Sequence, residues 1–249
     1  MAPFLLSGGL AAKPLNVVMI AVDDMRPELG CYGAEHVKSP NIDRLAASGL
    51  LFEQAYCQQA ICGPSRASLL TGLRPDTVGI HGNHAHYRDK NPGVVTLPQF
   101  FKEAGYFTAA CGKINHGVFL KGKAPKWDVM GDEKSWSVPA FRPGPRYYYT
   151  EEGIEAAQGI FRKMFPKRPL NEWDQYLVFG PAEEAAPVED DVLYDGQVAK
   201  RAVEYLHGFG GKKDEPFFLA VGFIKPHSPY IAPKKYFDLY DREKIQLAK

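Results

Sequence analysis

Asn16–Asp24, NVVMIAVDD, decides the architecture. From Val17 to Val22 the run is apolar at every position and rich in β-branched residues. A run with no polar alternation fits a strand covered on both faces, which is the pattern of a parallel sheet. It ends in Asp23-Asp24. That is the carboxyl end of the strand, where open α/β sheets place their ligands.

Downstream of this strand, Ser39-Pro40-Asn41 opens a helix through Ile42, Leu45 and Ala46, with Pro40 at its first position. Leu50–Ala55 reads as a short strand, and Pro64–Leu70 as the first turns of another helix. Thr96-Leu97-Pro98 starts a helix with Phe100, Phe101 and Ala104 that stops at Gly105. Tyr106–Cys111 is the next strand and ends at Gly112-Lys113. Residues from about 119 to 187 are rich in Pro, Gly, Trp and Tyr and read as a loop-rich excursion with short hairpins. A helix over about Asp190–Gly208 follows, with Val198, Ala199, Ala202, Val203 and Leu206 on one face. Pro216–Ile224, PFFLAVGFI, is another buried strand and ends at Lys225-Pro226-His227. This order predicts an α/β fold, a mostly parallel central sheet with helices on both faces. It also gathers Asp23-Asp24, Lys113 and Lys225–His227 on one edge of that sheet.

The composition adds few constraints. The 249 residues are enough for one large domain or two small ones. With 45% hydrophobic residues they can bury a sizeable core. A net charge of +1 gives no global field that argues for nucleic acid or a membrane surface, so any anion recognition is local. Cys31, Cys57, Cys62 and Cys111 fit no zinc spacing. A disulfide among Cys31, Cys57 and Cys111 stays open, with buried free thiols the simpler reading. Residues 1–14 hold a short apolar run, PFLLSGGLAA. It reads as the tail of a secretory signal peptide or as a disordered lead, and it is too short to span a membrane.

Cys62-Gly63-Pro64-Ser65-Arg66, closely followed by Leu69-Leu70-Thr71-Gly72, is the most specific chemical signal. It sits at a loop-to-helix transition, where backbone N–H groups and the helix dipole favour an anion. Arg66 adds a planar cationic fork suited to sulfate or another oxyanion. A plain thiol here is open to two readings, a reactive cysteine or a packing residue. Asp23-Asp24 offers hard oxygens suited to Ca²⁺ or Mg²⁺, although two adjacent aspartates alone read as a loop or cap. His81, His84 and His86 suggest a metal cluster only weakly, since solvated loop histidines are the commoner state. Lys225 is a candidate for shaping the turn before His227. Tyr147–Tyr149 is read as packing rather than as a sugar platform.

The segments Asn16–Gly33, Ser39–Phe52 and Gln58–Thr77 resemble the first conserved stretch of the type I sulfatases, the formylglycine-dependent members of the alkaline phosphatase-like superfamily. Gly112–Gly117, GKINHG, looks like that family's lysine-histidine element, and Phe217–Pro229 like its lysine-proline-histidine element. The variant at Asp23–Gly33, DDMRPELGCYG, is most similar to the iduronate-2-sulfatase branch and its bacterial relatives. The resemblance implies a hydrolase of sulfate esters on a sulfated saccharide, such as a glycosaminoglycan or an algal polysaccharide. It further implies that a maturation enzyme oxidises Cys62 to formylglycine, whose hydrate attacks sulfur. Asp23, Asp24 and the modified Cys62 would hold Ca²⁺, ahead of Mg²⁺. Arg66 would anchor the hydrate and Lys113 would neutralise sulfate. His227 would protonate the leaving alcohol, and His116 would act as the base that lets sulfate depart. Asn83, His84 and Arg88 are candidate substrate contacts, and the protein would be periplasmic or secreted.

The sequence departs from the family in one respect. Such enzymes run to roughly twice this length, beyond a single module of this size. Their further metal ligands, in an Asp-His-Gly or Asp-Asn-Gly element, have no counterpart here. The expectation is therefore the N-terminal portion of a catalytic domain over residues 15–249, binding calcium weakly and hydrolysing sulfate esters poorly by itself. Two other readings stay open: a formylglycine-dependent phosphonate or phosphodiester hydrolase, and a non-catalytic sulfatase-like remnant.

Overall fold

The computed structural model describes residues 13–116, 132–144, 147–167, 180–210 and 215–245. Most of the N-terminal lead, Gly117 of the lysine-histidine element and parts of the 119–187 excursion lie outside the described residues.

The central sheet has the order β1-β4-β2, built from β1 (Val17–Val22), β2 (Phe107–Gly112) and β4 (Phe217–Phe223). Both pairings are parallel, with Val17 opposite Phe218 and Phe107 opposite Phe217. The run PFFLAVGFI thus forms the middle strand, and its side chains alternate between two cores. Phe218 and Ala220 join Ala110 on one face, packed with Ala67 and Leu70 of α2 (Cys62–Thr71) and with Val78 of α3 (Pro75–Val78). Phe217, Leu219 and Val221 join Ala109 and Cys111 on the other, under Val198 and Ala202 of α7 (Tyr194–Gly210). Each fully buried side chain of this size contributes about 1.5–3 kcal/mol, so a strand covered on both faces anchors the domain.

Several local expectations hold. Helix α1 (Pro40–Ser48) carries Pro40 at its start. In α5 (Leu97–Glu103) the Thr96 hydroxyl accepts the Gln99 N–H as an N-cap, and Gly105 beyond it has φ 89°. All four cysteines are free thiols, but of Cys31, Cys57 and Cys111 only Cys111 is buried as expected, and Cys57 is exposed.

Other expectations are corrected. Leu50–Ala55 forms no strand: no neighbouring strand offers it a ladder among the described residues, and Leu50 is 79% exposed. The packed face of α7 is Val198, Ala202, Tyr205 and Phe209, while Val203 is 50% exposed. The aromatic rings decide this: Phe209 stacks on Phe217 at 4.3 Å between ring centroids. Within the tyrosine-rich segment lies a fourteen-residue helix, α6 (Glu151–Met164). Beyond it β3 (Glu183–Ala186) pairs parallel with β5 (Tyr230–Pro233) rather than in a hairpin. The short helices α4 (Tyr87–Lys90) and α8 (Lys234–Phe237) complete the order. No helix among the described residues is long and apolar enough to cross a membrane.

Candidate active site

The carboxyl ends of β1, β2 and β4 bring their polar residues together. Asp23 follows β1 and is buried. Its N–H still bonds the Phe223 carbonyl at 3.0 Å, while Asp24 turns into the left-handed region at φ 54°. That turn breaks the strand's alternation, and the exposed Asp24 carboxylate comes to 3.8 Å from His227 Nε2. The turn lets neighbouring aspartates serve one site.

Lys113 follows β2 at a crossing that only glycines allow. A Cβ on Gly112, at φ 79°, would strike the Gly222 carbonyl, and one on Gly222 would strike the Lys113 backbone. With both absent, the Lys113 N–H bonds the Gly222 carbonyl at 2.8 Å. The Lys113 ammonium, itself buried, donates to Asp23 Oδ2. Arg66 Nη2 donates to Asp23 Oδ1 at 3.0 Å, and Arg66 Nη1 donates to the carbonyls of Lys113 and Ile114. Burial alone would raise the Asp23 pKa, but the Lys113 and Arg66 charges overcome it and hold the carboxyl below its ordinary value. Removing one member would leave an uncompensated buried charge, at a cost of about 3–5 kcal/mol.

Helix α2 begins two residues earlier than the sequence suggested, with Cys62 itself at its first position. Cys62 Sγ lies 4.0 Å from Asp23 Oδ2. The Gly63 N–H donates to Asn83 Oδ1 at 2.8 Å, and Pro64 has no N–H. The expected anion-binding amides of this helix start are therefore largely spent, and Lys113 and Arg66 supply the positive charge instead. Asn83 thereby acts as a clamp on α2. A Cβ on Gly63 would meet Asn83 Oδ1 at 2.7 Å, so the Gly82-Asn83 loop needs glycine there. Burial, with help from Asp23 and Asp24, raises the Cys62 thiol pKa against the opposing Lys113 and Arg66 charges. The unmodified side chain is thus a neutral thiol rather than an activated thiolate.

The loop after β4 carries His227. Its Nδ1 lies 2.7 Å from the Ser228 carbonyl, to which it must donate, and this leaves Nε2 facing the carboxylates. Two groups that the sequence reading did not assign to the site hold this loop. Asp195, near the start of α7, accepts the N–H groups of Ile224 and Lys225, each at 2.8 Å. The Lys225 ammonium donates to the carbonyls of His227 at 2.8 Å and of Pro229. Lys225 does shape this turn; nothing in the sequence near Asp195 signalled its part.

Among the described residues, ligand atoms of Asp23, Cys62 and His227 lie within 4.8 Å of one another. His116 is close enough to feel Lys113, Asp23, Arg66 and His227, and burial as the largest cause pushes its pKa down to about 4. Of the candidate substrate contacts, His84 is exposed. Arg88 is turned away: it makes paired bonds to Asp132 at 2.9 Å each and further bonds to the Val94 carbonyl and Gln99. His81, His84 and His86 form no converging set among the described residues. Tyr148 is in a buried core, whereas Tyr147 and Tyr149 line a cavity of about 340 Å³ that Lys225 and Asp195 also line.

The donor set can be tested against the groups it is expected to hold. Asp23 and Asp24 supply hard oxygens of the kind Ca²⁺ and Mg²⁺ take, though fewer than the roughly six to eight that Ca²⁺ prefers. An uncharged diol at position 62 would find acceptors in these carboxylates where a thiolate would meet repulsion. Both groups fit in kind.

Residues 15–248 match the sequence model of a family described as Sulfatase. The chain is 37% identical over 241 residues to an iduronate 2-sulfatase of Mus musculus, covering 97% of this chain and 40% of that one. It is 39% identical over 234 residues to the iduronate 2-sulfatase of Homo sapiens, covering 94% and 39% respectively. It spans about two fifths of the length of these curated relatives. Its fold resembles the crystal structure of Ps i-CgsB in complex with k-i-k-neocarrahexaose, with a TM-score of 0.63 at 24% identity over 94% of this chain and 50% of that one.

Proposed function

Since this chain belongs to the sulfatase family, we propose that it carries the nucleophile side of a site that removes sulfate from a sulfated saccharide. The observation that carries this reading is the convergence of Asp23, Cys62 and His227 within 4.8 Å, with Lys113 and Arg66 both bonded to Asp23. Cys62 oxidised to formylglycine by a maturation enzyme would supply, once hydrated, a hydroxyl nucleophile for sulfur and a second hydroxyl able to release the sulfate. Asp23, Asp24 and the oxygen at position 62 would hold Ca²⁺, ahead of Mg²⁺, and the ion would offset charge on the sulfate oxygens.

The coded residues do the remaining work. Lys113 adds a cation beside the sulfate. Arg66 fixes both Asp23 and the Lys113–Ile114 backbone, so it keeps the carboxylate and the lysine in register. His227, in its doubly protonated form with Nδ1–H held by the Ser228 carbonyl, passes the Nε2 proton to the departing alcohol oxygen as the S–O bond breaks. His116, neutral at pH 7, takes a proton from the hydroxyl at position 62 in the step that frees sulfate. Asn83 positions α2 through Gly63, and His84 is the remaining candidate contact with the saccharide. The likeness to iduronate 2-sulfatases points to a uronate 2-sulfate of a glycosaminoglycan or an algal polysaccharide. A secreted or periplasmic protein would meet such polymers.

The test is sulfate release from a panel of defined sulfated saccharides by a matured form extended to the length of its relatives, with an aryl phosphodiester for comparison and Cys62→Ala as control. Release from at least one sulfated saccharide, lost in Cys62→Ala, is the expected result. Preferential cleavage of the phosphodiester, or undiminished release by Cys62→Ala, would overturn the proposal.

A further inference from the structure

His86 is buried, 5% exposed, and caps the start of α4. Its Nδ1 accepts the Arg88 N–H at 3.2 Å. An acceptor nitrogen carries no proton, so in the neutral ring the proton sits on Nε2. Burial, the largest influence on this ring, keeps it neutral by lowering its pKa. The Nε2 atom is buried and has no hydrogen-bond partner within the protein. A buried donor left this way costs about 1–3 kcal/mol, which argues that something accepts its proton.

A small cavity of about 10 Å³ is lined by His86 and His116 together with Gly63, Arg66 and Asn115. That volume matches the lower limit of roughly 10–15 Å³ for one buried water, and the polar lining offers the partners such a water needs. We propose that this cavity holds one ordered water, which accepts from His86 Nε2–H and from the N–H of the His116 imidazole, leaving the other His116 nitrogen as the acceptor. His86 is then a positioning residue: it acts on the chemistry by fixing the ring that the function above uses as a base. The inference rests on that reading for its kinetic consequence, but the water and the His116 orientation can be observed without turnover.

The experiment pairs high-resolution crystal structures with steady-state kinetics for the wild type, His86→Phe and His86→Gln. The wild type should show one water within hydrogen-bond distance of His86 Nε2 and of a His116 ring nitrogen. His86→Gln, whose amide N–H reaches the place of Nε2, should keep it. His86→Phe should lose it and leave the His116 ring in a different or mixed orientation. On the matured protein His86→Phe should lower kcat roughly tenfold at unchanged KM, the scale seen when a partner orienting a functional histidine is removed. His86→Gln should restore most of it. An empty cavity, a water out of reach of His116, or an unmoved His116 ring in His86→Phe would overturn the inference. If His86→Phe does not fold, the wild-type and His86→Gln densities decide alone. Absence of turnover in every form, with the water in place, would count against the sulfatase reading and leave the water-mediated positioning standing.

Discussion

A carboxylate buried between two cations is stable only when all three are matched, and Asp23, Lys113 and Arg66 meet that condition. Their residue types were legible in the sequence as strand-end groups and as matches to a family pattern. Their bonding was not, because it depends on a long-range crossing at Gly112 and Gly222 that no local pattern records. Arg88 shows the converse: it looked available, yet Asp132, distant in sequence, claims its guanidinium. The residue scale also sets a pH dependence. In the unfolded chain His86 and His116 take up protons near pH 6.5, whereas the folded rings resist to lower pH, His116 to about 4. The unfolded state therefore binds more protons in that window, so the stabilisation is complete above pH 6.5 and is lost as pH falls toward 4. For His116 this amounts to on the order of 3 kcal/mol. Urea midpoints followed from neutral pH downward should drop across the window, and His116→Asn should flatten the fall. A midpoint that ignores both pH and the substitution would contradict this.

At the scale of elements, strands β2 and β4 and the starts of α1 and α5 were readable. Runs without alternation mark strands covered on both faces, and Pro40 and Thr96 mark helix starts through their own backbone chemistry. Helix α6 was hidden by its tyrosine- and proline-rich surroundings and by Gly153 and Gly159, which depress helix propensity. Thr150 as a cap, Glu151 and Glu152 in the first turn and Arg162 and Lys163 in the last were signals that could have found it. For α7 the aliphatic positions alone pointed to too broad a stripe, and the rings of Tyr205 and Phe209 select the face that packs. Val198→Ala should therefore lower unfolding stability by about 1–3 kcal/mol, and Val203→Ser by less than about 0.5 kcal/mol. Equal losses in chemical denaturation would mean that the helix face is assigned wrongly.

At the scale of the whole molecule, three parallel strands among the described residues end on one edge, and the topology alone brings Asp23, Lys113 and His227 together. That edge was predictable from the order of strands and helices, since parallel strands joined by crossovers all present the same end. Strand β1 lies at the border of the central sheet and leaves Val18 and Ile20 45% and 56% exposed, so its apolar run did not translate into the burial it predicts. The cluster supplies few oxygen ligands, and the 249 residues alone should bind Ca²⁺ weakly, with Kd on the order of millimolar; calorimetry returning a submicromolar value would show ligands that the described residues do not reveal. The central claim is that position 62 is the modified nucleophile of a sulfate ester hydrolase. Its most direct test is the mass of the peptide containing Cys62 after expression with the formylglycine-generating maturation enzyme. The account predicts the mass of the aldehyde, with the CH2–SH group of the cysteine converted to CH=O; recovery of the unmodified thiol alone would contradict it.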